Sequence, residues 1–209
     1  MNGKFNVRDR LLFAGTFLWG LALTVIGTVL LSIPLFQLEI GWGRLDELAG
    51  LSSPALSHNY QLLIHYLLNP FSGRLVMPDF PSSASGLEHF FEVKVFFMVA
   101  LACLIVLLPA FVVFVKEYLN IFFRRGLTMI LSLPFLAVLT AVLLGFDQFF
   151  VLFHELLFRN EDWLFDPKTD PIITVLPESF FLHCFILAGL IYLLFFGYLY
   201  FYKKKVKNV

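Results

Sequence analysis

The chain has 209 residues, of which 59% are hydrophobic and 18% aromatic, while only 14% carry a charge. A soluble domain of this length cannot hide so much apolar surface, so lipid must cover part of it. The formal net charge is zero, which excludes a bulk basic signal for nucleic acid. We therefore expect a single membrane domain over residues 1–209.

Four apolar segments are long enough to cross a bilayer, which takes a helix of about 20 residues. The first covers about 11–36; it is too long for a signal-peptide core, and we expect it to be retained. The second covers about 95–115. The third begins at 126, with its helix continuing to about 157, and the fourth covers about 179–202. The predicted fold class is an all-α membrane protein, a bundle of four transmembrane helices.

A polar insertion, residues 37–94, separates the first two spans. Residues 36–40 alternate between apolar and polar side chains, which predicts a short strand, and a second short strand is expected within 73–80. Between them, residues 57–68 predict a helix with Ser57 as its N-cap and one apolar stripe. The insertion is therefore expected to contain one helix and two short strands, on the extracellular side.

Basic residues predict the orientation of the chain. The N-terminus, the connector between spans two and three, and the C-terminus together hold ten of the fifteen Lys and Arg residues. The positive-inside rule places these three segments in the cytoplasm. The insertion, the acidic loop 159–178 and the adjoining ends of spans two, three and four would then face outside.

Polar side chains gather at these predicted outer ends. On the third span, Asp147 and His154 are seven residues apart, so a continuous helix places them on one face, and Glu155 follows directly. At the start of the second span, His89 and Glu92 are three residues apart and share a face once the helix has begun. Two histidines at one depth, each with a carboxylate nearby, favour proton transfer near neutral pH.

Several of these residues also have a purely structural interpretation. Asp147 could lock two helices together through a polar bond inside the membrane. His183, one turn into the fourth span, could join the cluster or bond a backbone carbonyl of a neighbour. Cys103 and Cys184 lie within apolar runs and are expected to be small buried side chains rather than a disulfide.

The zinc-protease motif is present only in part. His154-Glu155 begins like HExxH, but Phe158 occupies the position of the second histidine, so that motif predicts no metal. His89, His154, His183 and a carboxylate could still gather a metal ion from separate helices. No GxSxG turn is present, so the sequence offers acids and bases without an obvious nucleophile. This favours a reaction in which the substrate supplies its own nucleophile.

Two longer blocks carry a family resemblance. Residues 75–94 (LVMPDFPSSASGLEHFFEVK) and 146–181 (FDQFFVLFHELLFRNEDWLFDPKTDPIITVLPESFF) are similar to signature segments of bacterial lipoprotein intramolecular transacylases. The resemblance implies a small four-span enzyme of the cell membrane. Its reaction would move the sn-2 acyl chain of a diacylglyceryl lipoprotein onto the α-amino group of the same N-terminal cysteine. The product would be an N-acyl S-monoacylglyceryl (lyso-form) lipoprotein.

The matching positions imply that His89 and His154 are catalytic. We expect Asn160, Trp163 or the protonated histidine to donate to an oxyanion. The remaining supporting residues are expected to be Asp147, Glu92, Glu155 and His183. The expected partners are the lipoprotein substrate and membrane lipid, and the reaction implies no cofactor and no metal. Two other functions stay open, a small proton-coupled transporter or accessory membrane subunit and a membrane metalloprotease.

Overall fold

The structure, a computed structural model, describes residues 6–203. Within this range the secondary structure is entirely helical, without any β-strand. The α-helices are α1 (Val7–Gly43), α2 (Leu45–Ala49), α3 (Ser53–Leu68), α4 (Ala84–Val106), α5 (Leu108–Lys116), α6 (Arg124–Leu144), α7 (Phe146–Leu157) and α8 (Glu178–Phe201), with short 3₁₀-helices at Leu119–Ile121 and Pro171–Val175. Four lysines that contribute to the predicted orientation, Lys4, Lys204, Lys205 and Lys207, lie outside the described residues.

Four helices of the described range, α1, α4, α6 and α8, are long and apolar enough to cross a membrane. This confirms the predicted all-α class with four candidate spans. Helix α1 has 37 residues. It is therefore about 55 Å long, against about 30 Å for the hydrocarbon core of a bilayer. It continues past residue 36 into the segment that we assigned to the insertion.

The two predicted short strands are wrong. Residues 36–40 belong to α1, where Phe36 and Ile40 are buried four residues apart on one helix face. The alternation that suggested a strand also fits this helical spacing. Residues 73–80 are irregular, and no strand in the described range is available to pair with them. Their buried side chains are Leu75, Met77 and Phe80.

Helix α3 begins at Ser53 rather than near Ser57. Its N-cap is Ser52, whose hydroxyl accepts a hydrogen bond from the backbone N–H of Ala55 at 3.4 Å. Ser57, the predicted cap, lies inside the helix. The predicted apolar stripe does form the buried face of α3, which packs against α1 and α4. Its fully buried members are Tyr60, Leu63, Ile64 and Leu67.

A proline interrupts the second apolar segment. Helix α4 ends at Val106 and α5 begins at Leu108, with Pro109 in its first turn. Proline has no backbone N–H, and its ring clashes with the carbonyl four residues earlier, which favours a helix break here. Helices α1 and α6, by contrast, continue past Pro34 and Pro134. At the other end, α4 begins at Ala84, so the turns that carry His89 are already helical.

A glycine divides the third predicted helix. Gly145 has φ 87° and ψ 154°, a conformation that side-chain-bearing residues rarely adopt. The helix that we predicted over 126–157 is therefore two helices, α6 and α7. Helix α7 follows this break and carries His154.

Helix α1 is the centre of the bundle and contacts α3, α4, α5 and α8. One buried apolar cluster joins α1, α3, α4 and the start of α8 around Phe36 and Phe180. A second cluster joins α6 and α8 around Phe196. Helix α7 packs on α8 through aromatic side chains, with the rings of Phe153 and Phe185 at a centroid distance of 5.0 Å. The N-terminal turns of α4 and the C-terminal turns of α7 are thereby brought together.

Candidate active site

His89 lies on the second turn of α4. The start of this helix is capped by Ser83, whose hydroxyl accepts a hydrogen bond from the backbone N–H of Gly86 at 2.9 Å. Only 8% of the surface of His89 is exposed. Its ring packs edge-on against Phe158 and Phe165, at centroid distances of 4.7 and 5.6 Å. The imidazole is therefore held in an apolar setting.

His154 lies in α7 and is equally buried, with 9% of its surface exposed. Its Nδ1 lies 2.8 Å from the carbonyl oxygen of Phe150, one turn earlier in the helix. A carbonyl oxygen can only accept, so Nδ1 carries the proton of the neutral ring and Nε2 keeps a lone pair. The Trp163 ring stacks on the imidazole at a centroid distance of 4.8 Å.

The two imidazole rings come together between α4 and α7. Their centroids are 5.9 Å apart, and Phe158 contacts both rings, at 4.7 Å from His89 and 5.8 Å from His154. Two groups that transfer protons thus lie beside one small region covered by aromatic side chains. Such a pair can take a proton from one atom of a bound molecule and deliver a proton to another.

Glu92 follows His89 by one turn of α4 and is linked to the loop after α7. Its Oε1 accepts a hydrogen bond from the side-chain amide of Asn160 at 2.8 Å. The backbone carbonyl of Asn160 accepts the indole N–H of Trp163 at 3.0 Å. Asn160 therefore connects the ring that covers His154 to the helix of His89. Two buried atoms at this level, His89 Nδ1 and Glu92 Oε2, have no hydrogen-bond partner among the described residues.

Asp170 anchors the same loop to the start of α4. It is 2% exposed, and its Oδ1 accepts a hydrogen bond from the backbone N–H of Ser83 at 2.8 Å while Oδ2 accepts one from the Thr169 hydroxyl at 2.9 Å. A carboxylate is also favoured near a helix N-terminus by the helix dipole. Gly86 lies so close that an added Cβ would overlap the carboxylate. The loop and α4 are therefore fixed to each other one turn before His89.

Lys94 anchors the other side of α4. It is 8% exposed, and its Nζ donates hydrogen bonds to the carbonyl oxygen and the hydroxyl of Ser72, at 2.9 and 2.6 Å. The same ammonium lies 4.5 Å from the centroid of the Tyr66 ring. A buried charge needs partners of this kind, and here they fasten the irregular segment after α3 to the helix of His89.

Two predicted supporting residues are not brought to the histidine pair. Asp147 and Glu155 are exposed on α7, and neither makes a hydrogen bond or ion pair within residues 6–203. Asp147 lies two turns before His154, which separates them by about 10 Å along the helix. Their assignment as supporting residues stays a prediction.

His183 belongs to a different polar contact. Its Nδ1 pairs with a carboxylate oxygen of Glu39, a residue of α1 that is 2% exposed. The Trp42 ring packs edge-on against the imidazole at a centroid distance of 5.8 Å. His183 thus fastens α8 to the extension of α1. It contacts neither His89 nor His154, and its partner is a side chain rather than a backbone carbonyl.

The described residues contain no group of three or more His, Cys, Asp or Glu side chains that could hold a metal ion. Where the protease motif requires its second histidine, Phe158 packs on both imidazole rings of the site. The three outer histidines, which we considered as ligands gathered from separate helices, do not converge.

Sequence reasoning missed Asp170 and Glu39. Asp170 lies in a loop with several other carboxylates, and nothing local distinguishes the one that caps α4. Glu39 lies in the segment that we assigned to a strand. The available signal was helical spacing: a carboxylate three residues after Phe36 falls on the buried side of a helix that continues past residue 36.

Comparison with known proteins gives one consistent result. The family model for the lipoprotein intramolecular transacylase Lit matches residues 10–181. The chain is similar to the solved structure of the membrane integral lipoprotein intramolecular transacylase Lit from Bacillus cereus, at 30% identity over 92% of both chains and a TM-score of 0.79. A comparison with curated proteins finds no match.

Two variants of the Bacillus cereus protein also match. One has a histidine replaced by alanine; it is 30% identical over 92% of this chain and 90% of its own, with a TM-score of 0.71. The other has a histidine replaced by arginine; it is 28% identical over 91% of both chains, with a TM-score of 0.69.

Proposed function

Since this chain belongs to the family of lipoprotein intramolecular transacylases, Lit, we propose that it moves the sn-2 acyl chain of a diacylglyceryl lipoprotein onto the α-amino group of the same N-terminal cysteine. The chain is an integral membrane acyltransferase, as its family and its four candidate spans show. The product is the N-acyl S-monoacylglyceryl lipoprotein.

In this reaction one ester bond breaks and one amide bond forms within a single molecule. An α-amine has a pKa of about 7.7–8.0, so near neutral pH much of it is protonated and cannot attack. A base must take that proton, and the departing glycerol oxygen must receive one. Amine and ester are already tethered, so the enzyme chiefly holds them in a reactive geometry.

The observation that carries this proposal is the pair of buried histidines. His89 and His154 come from different helices and face each other at a ring-centroid distance of 5.9 Å. The hydrogen bond from His154 Nδ1 to Phe150 leaves Nε2 as a proton acceptor. Two imidazoles suit a reaction that needs one proton removed from nitrogen and one delivered to oxygen.

The side chains expected to donate to an oxyanion are engaged elsewhere in the structure. The indole N–H of Trp163 donates to the backbone of Asn160, and the amide of Asn160 donates to Glu92. We assign to Trp163 the role of covering His154, and to Asn160 the role of holding Glu92. A protonated imidazole of the pair is then the donor next to the developing negative charge.

We place the site at the outer face of the membrane. The start of α4, the end of α7 and the loop that follows α7 lie together at the end of the bundle opposite the basic connector between α5 and α6. The positive-inside rule assigns that connector to the cytoplasm. A diacylglyceryl lipoprotein would present its ester and amine at this level from the outer leaflet.

The test uses purified protein and a synthetic diacylglyceryl lipopeptide, with the position of each acyl chain read by tandem mass spectrometry. His89→Gln or His154→Gln is expected to lower the rate of lyso-form product by at least about a hundredfold, as for loss of a general acid or base. His58→Gln, which changes an exposed histidine of α3, is the matched control and should keep the wild-type rate. Wild-type rates in both site variants would contradict the proposal.

A further inference from the structure

Two atoms of the candidate active site are buried without a hydrogen-bond partner among the described residues, Nδ1 of His89 and Oε2 of Glu92. Among the described residues only one other buried side-chain atom is in this state, Oδ1 of Asn120, whose amide nitrogen bonds the end of α8. Unpartnered buried polar atoms cost free energy, and native proteins keep few of them. Two such atoms on adjacent turns of one helix are suited to a ligand that donates hydrogen bonds to both.

Both side chains are held in place. His89 and Glu92 are three residues apart on α4, so they are neighbours on the helix surface. The Asn160 amide fixes Oε1 of Glu92 at 2.8 Å, and the His89 ring is wedged between Phe158 and Phe165. The unpartnered Oε2 and Nδ1 therefore belong to side chains one helical turn apart, and aromatic rings pack around the histidine.

The chemistry of the two free atoms selects the ligand. An ionised Glu92 only accepts hydrogen bonds, and Nδ1 of His89 accepts one when the neutral ring carries its proton on Nε2. A ligand that satisfies both atoms must bring two N–H or O–H donors, and the carboxylate favours a positive charge over an anion. A primary ammonium has three donors and a positive charge.

We infer that Glu92 and His89 form the subsite that binds the α-ammonium group of the substrate cysteine, an inference that rests on the transacylase reaction proposed above. Glu92 holds the charged group, and His89 receives its proton. Asn160 acts through Glu92 as a positioning residue.

The proton transfers balance in this arrangement. One N–H bond of the ammonium breaks as a proton moves to Nδ1 of His89, and the neutral amine attacks the sn-2 ester carbonyl. A second nitrogen proton passes through Nε2 of His154 to the glycerol oxygen as the acyl C–O bond breaks. The third hydrogen stays on the amide nitrogen. His89 then loses its proton to water, so each turnover releases one proton.

The experiment measures binding of two unreactive lipopeptides whose glycerol chains are both joined by ether bonds. One carries the free α-amine, and the other lacks that amino group but is otherwise the same. Wild-type protein at pH 7 is expected to bind the amine about tenfold more tightly, as for a charge-assisted hydrogen bond. Equal affinity of the wild type for both ligands would overturn the inference without any variant.

Glu92→Gln removes the charge at constant size. It is expected to bind both ligands alike, with the affinity for the desamino ligand unchanged, which also shows that the fold is intact. Glu88→Gln is the matched control because Glu88 is an exposed carboxylate of the same helix, and it should keep the tenfold preference. A Glu92→Gln protein that keeps this preference would overturn the inference, and a bound water would then account for the two free atoms.

A separate arm follows conversion of the ester-linked substrate by the wild-type protein. Absence of lyso-form product overturns the proposed function itself. Formation of product together with an unchanged preference in Glu92→Gln overturns the ammonium subsite alone.

Discussion

The contact between Asp170 and Gly86 decides how the first turn of α4 is held. The buried carboxylate accepts the backbone N–H of Ser83 at 2.8 Å, and a larger side chain at position 86 would overlap it. The residue pair therefore combines a charged cap with a close backbone approach that only glycine permits. Since His89 follows one turn later, a change here reaches the site without touching the substrate.

This contact can be tested with a double-mutant cycle. Asp170→Ala is expected to lower the free energy of unfolding by about 2 kcal/mol, the scale of a hydrogen bond to a charged group. Gly86→Ala is expected to destabilise the wild type by overlap with Asp170, and to cost much less in the Asp170→Ala background. Thermal unfolding in detergent gives the comparison. Additive losses would contradict the predicted contact.

A control separates the overlap from a general effect of alanine. Gly41→Ala changes a glycine of α1 where an added Cβ meets nothing within 4 Å. It is expected to leave stability unchanged or to raise it slightly, because alanine favours helix more than glycine does.

The break at Gly145 determines the direction of α7 and hence the position of His154. The glycine has φ 87°, and Phe153 of the helix packs on Phe185 of α8 at a centroid distance of 5.0 Å. A continuous helix would need helical φ and ψ at residue 145, so the observed conformation of Gly145 belongs to the arrangement that brings His154 to 5.9 Å from His89. The break is thus part of the active-site architecture.

Gly145→Ala is expected to lower stability by about 1–3 kcal/mol, because alanine is strained at this φ and ψ. Any relief of that strain rotates α7, so turnover of the lipopeptide should fall together with the unfolding midpoint. Gly189→Ala, within α8 and with open space around an added Cβ, is the control for a glycine-to-alanine change in a membrane helix. Wild-type turnover and stability in Gly145→Ala would show that the break does not matter.

In the molecule as a whole, the buried acidic and basic side chains of the described residues, Glu39, Lys94 and Asp170, lie at one end. The Lys94–Ser72, Asp170–Ser83 and Asn160–Glu92 hydrogen bonds all surround the first turns of α4. The buried cluster around Phe196, further along the bundle, is apolar and aromatic. This asymmetry suits a site that is reached from one side of the membrane, rather than a polar path that crosses it.

Cysteine labelling tests the orientation in whole cells. In a background without Cys103 and Cys184, Leu48→Cys is expected to react with a membrane-impermeant maleimide in intact cells. Ile121→Cys, in the basic connector between α5 and α6, should react only after permeabilisation. Leu48 and Ile121 are both exposed in the structure. Labelling in the reverse order would place the histidine pair in the cytoplasm and contradict the predicted topology.

Hydropathy and helical spacing in the sequence were sufficient to predict four spans, a helix with a buried stripe at 57–68, and histidines at the ends of two spans. These features are local, because a helix satisfies its hydrogen bonds within its own segment and burial in lipid depends on nearby composition. The family resemblance then implied His89 and His154, and the family itself is confirmed.

Other features depended on packing between segments far apart in the chain. Gly145 is visible in the sequence, but a glycine within a helical pattern does not by itself predict a break. The alternation at 36–40 fits a strand or a helix, and burial of Phe36 and Ile40 against α3 and α8 selects the helix. The loop after α7 contains several carboxylates, and only the tertiary contact with Ser83 distinguishes Asp170 from the others. Hydropathy and spacing describe each segment's own preference, whereas the approach of His89 to His154 depends on the packing energy of the whole bundle, which no single segment contains.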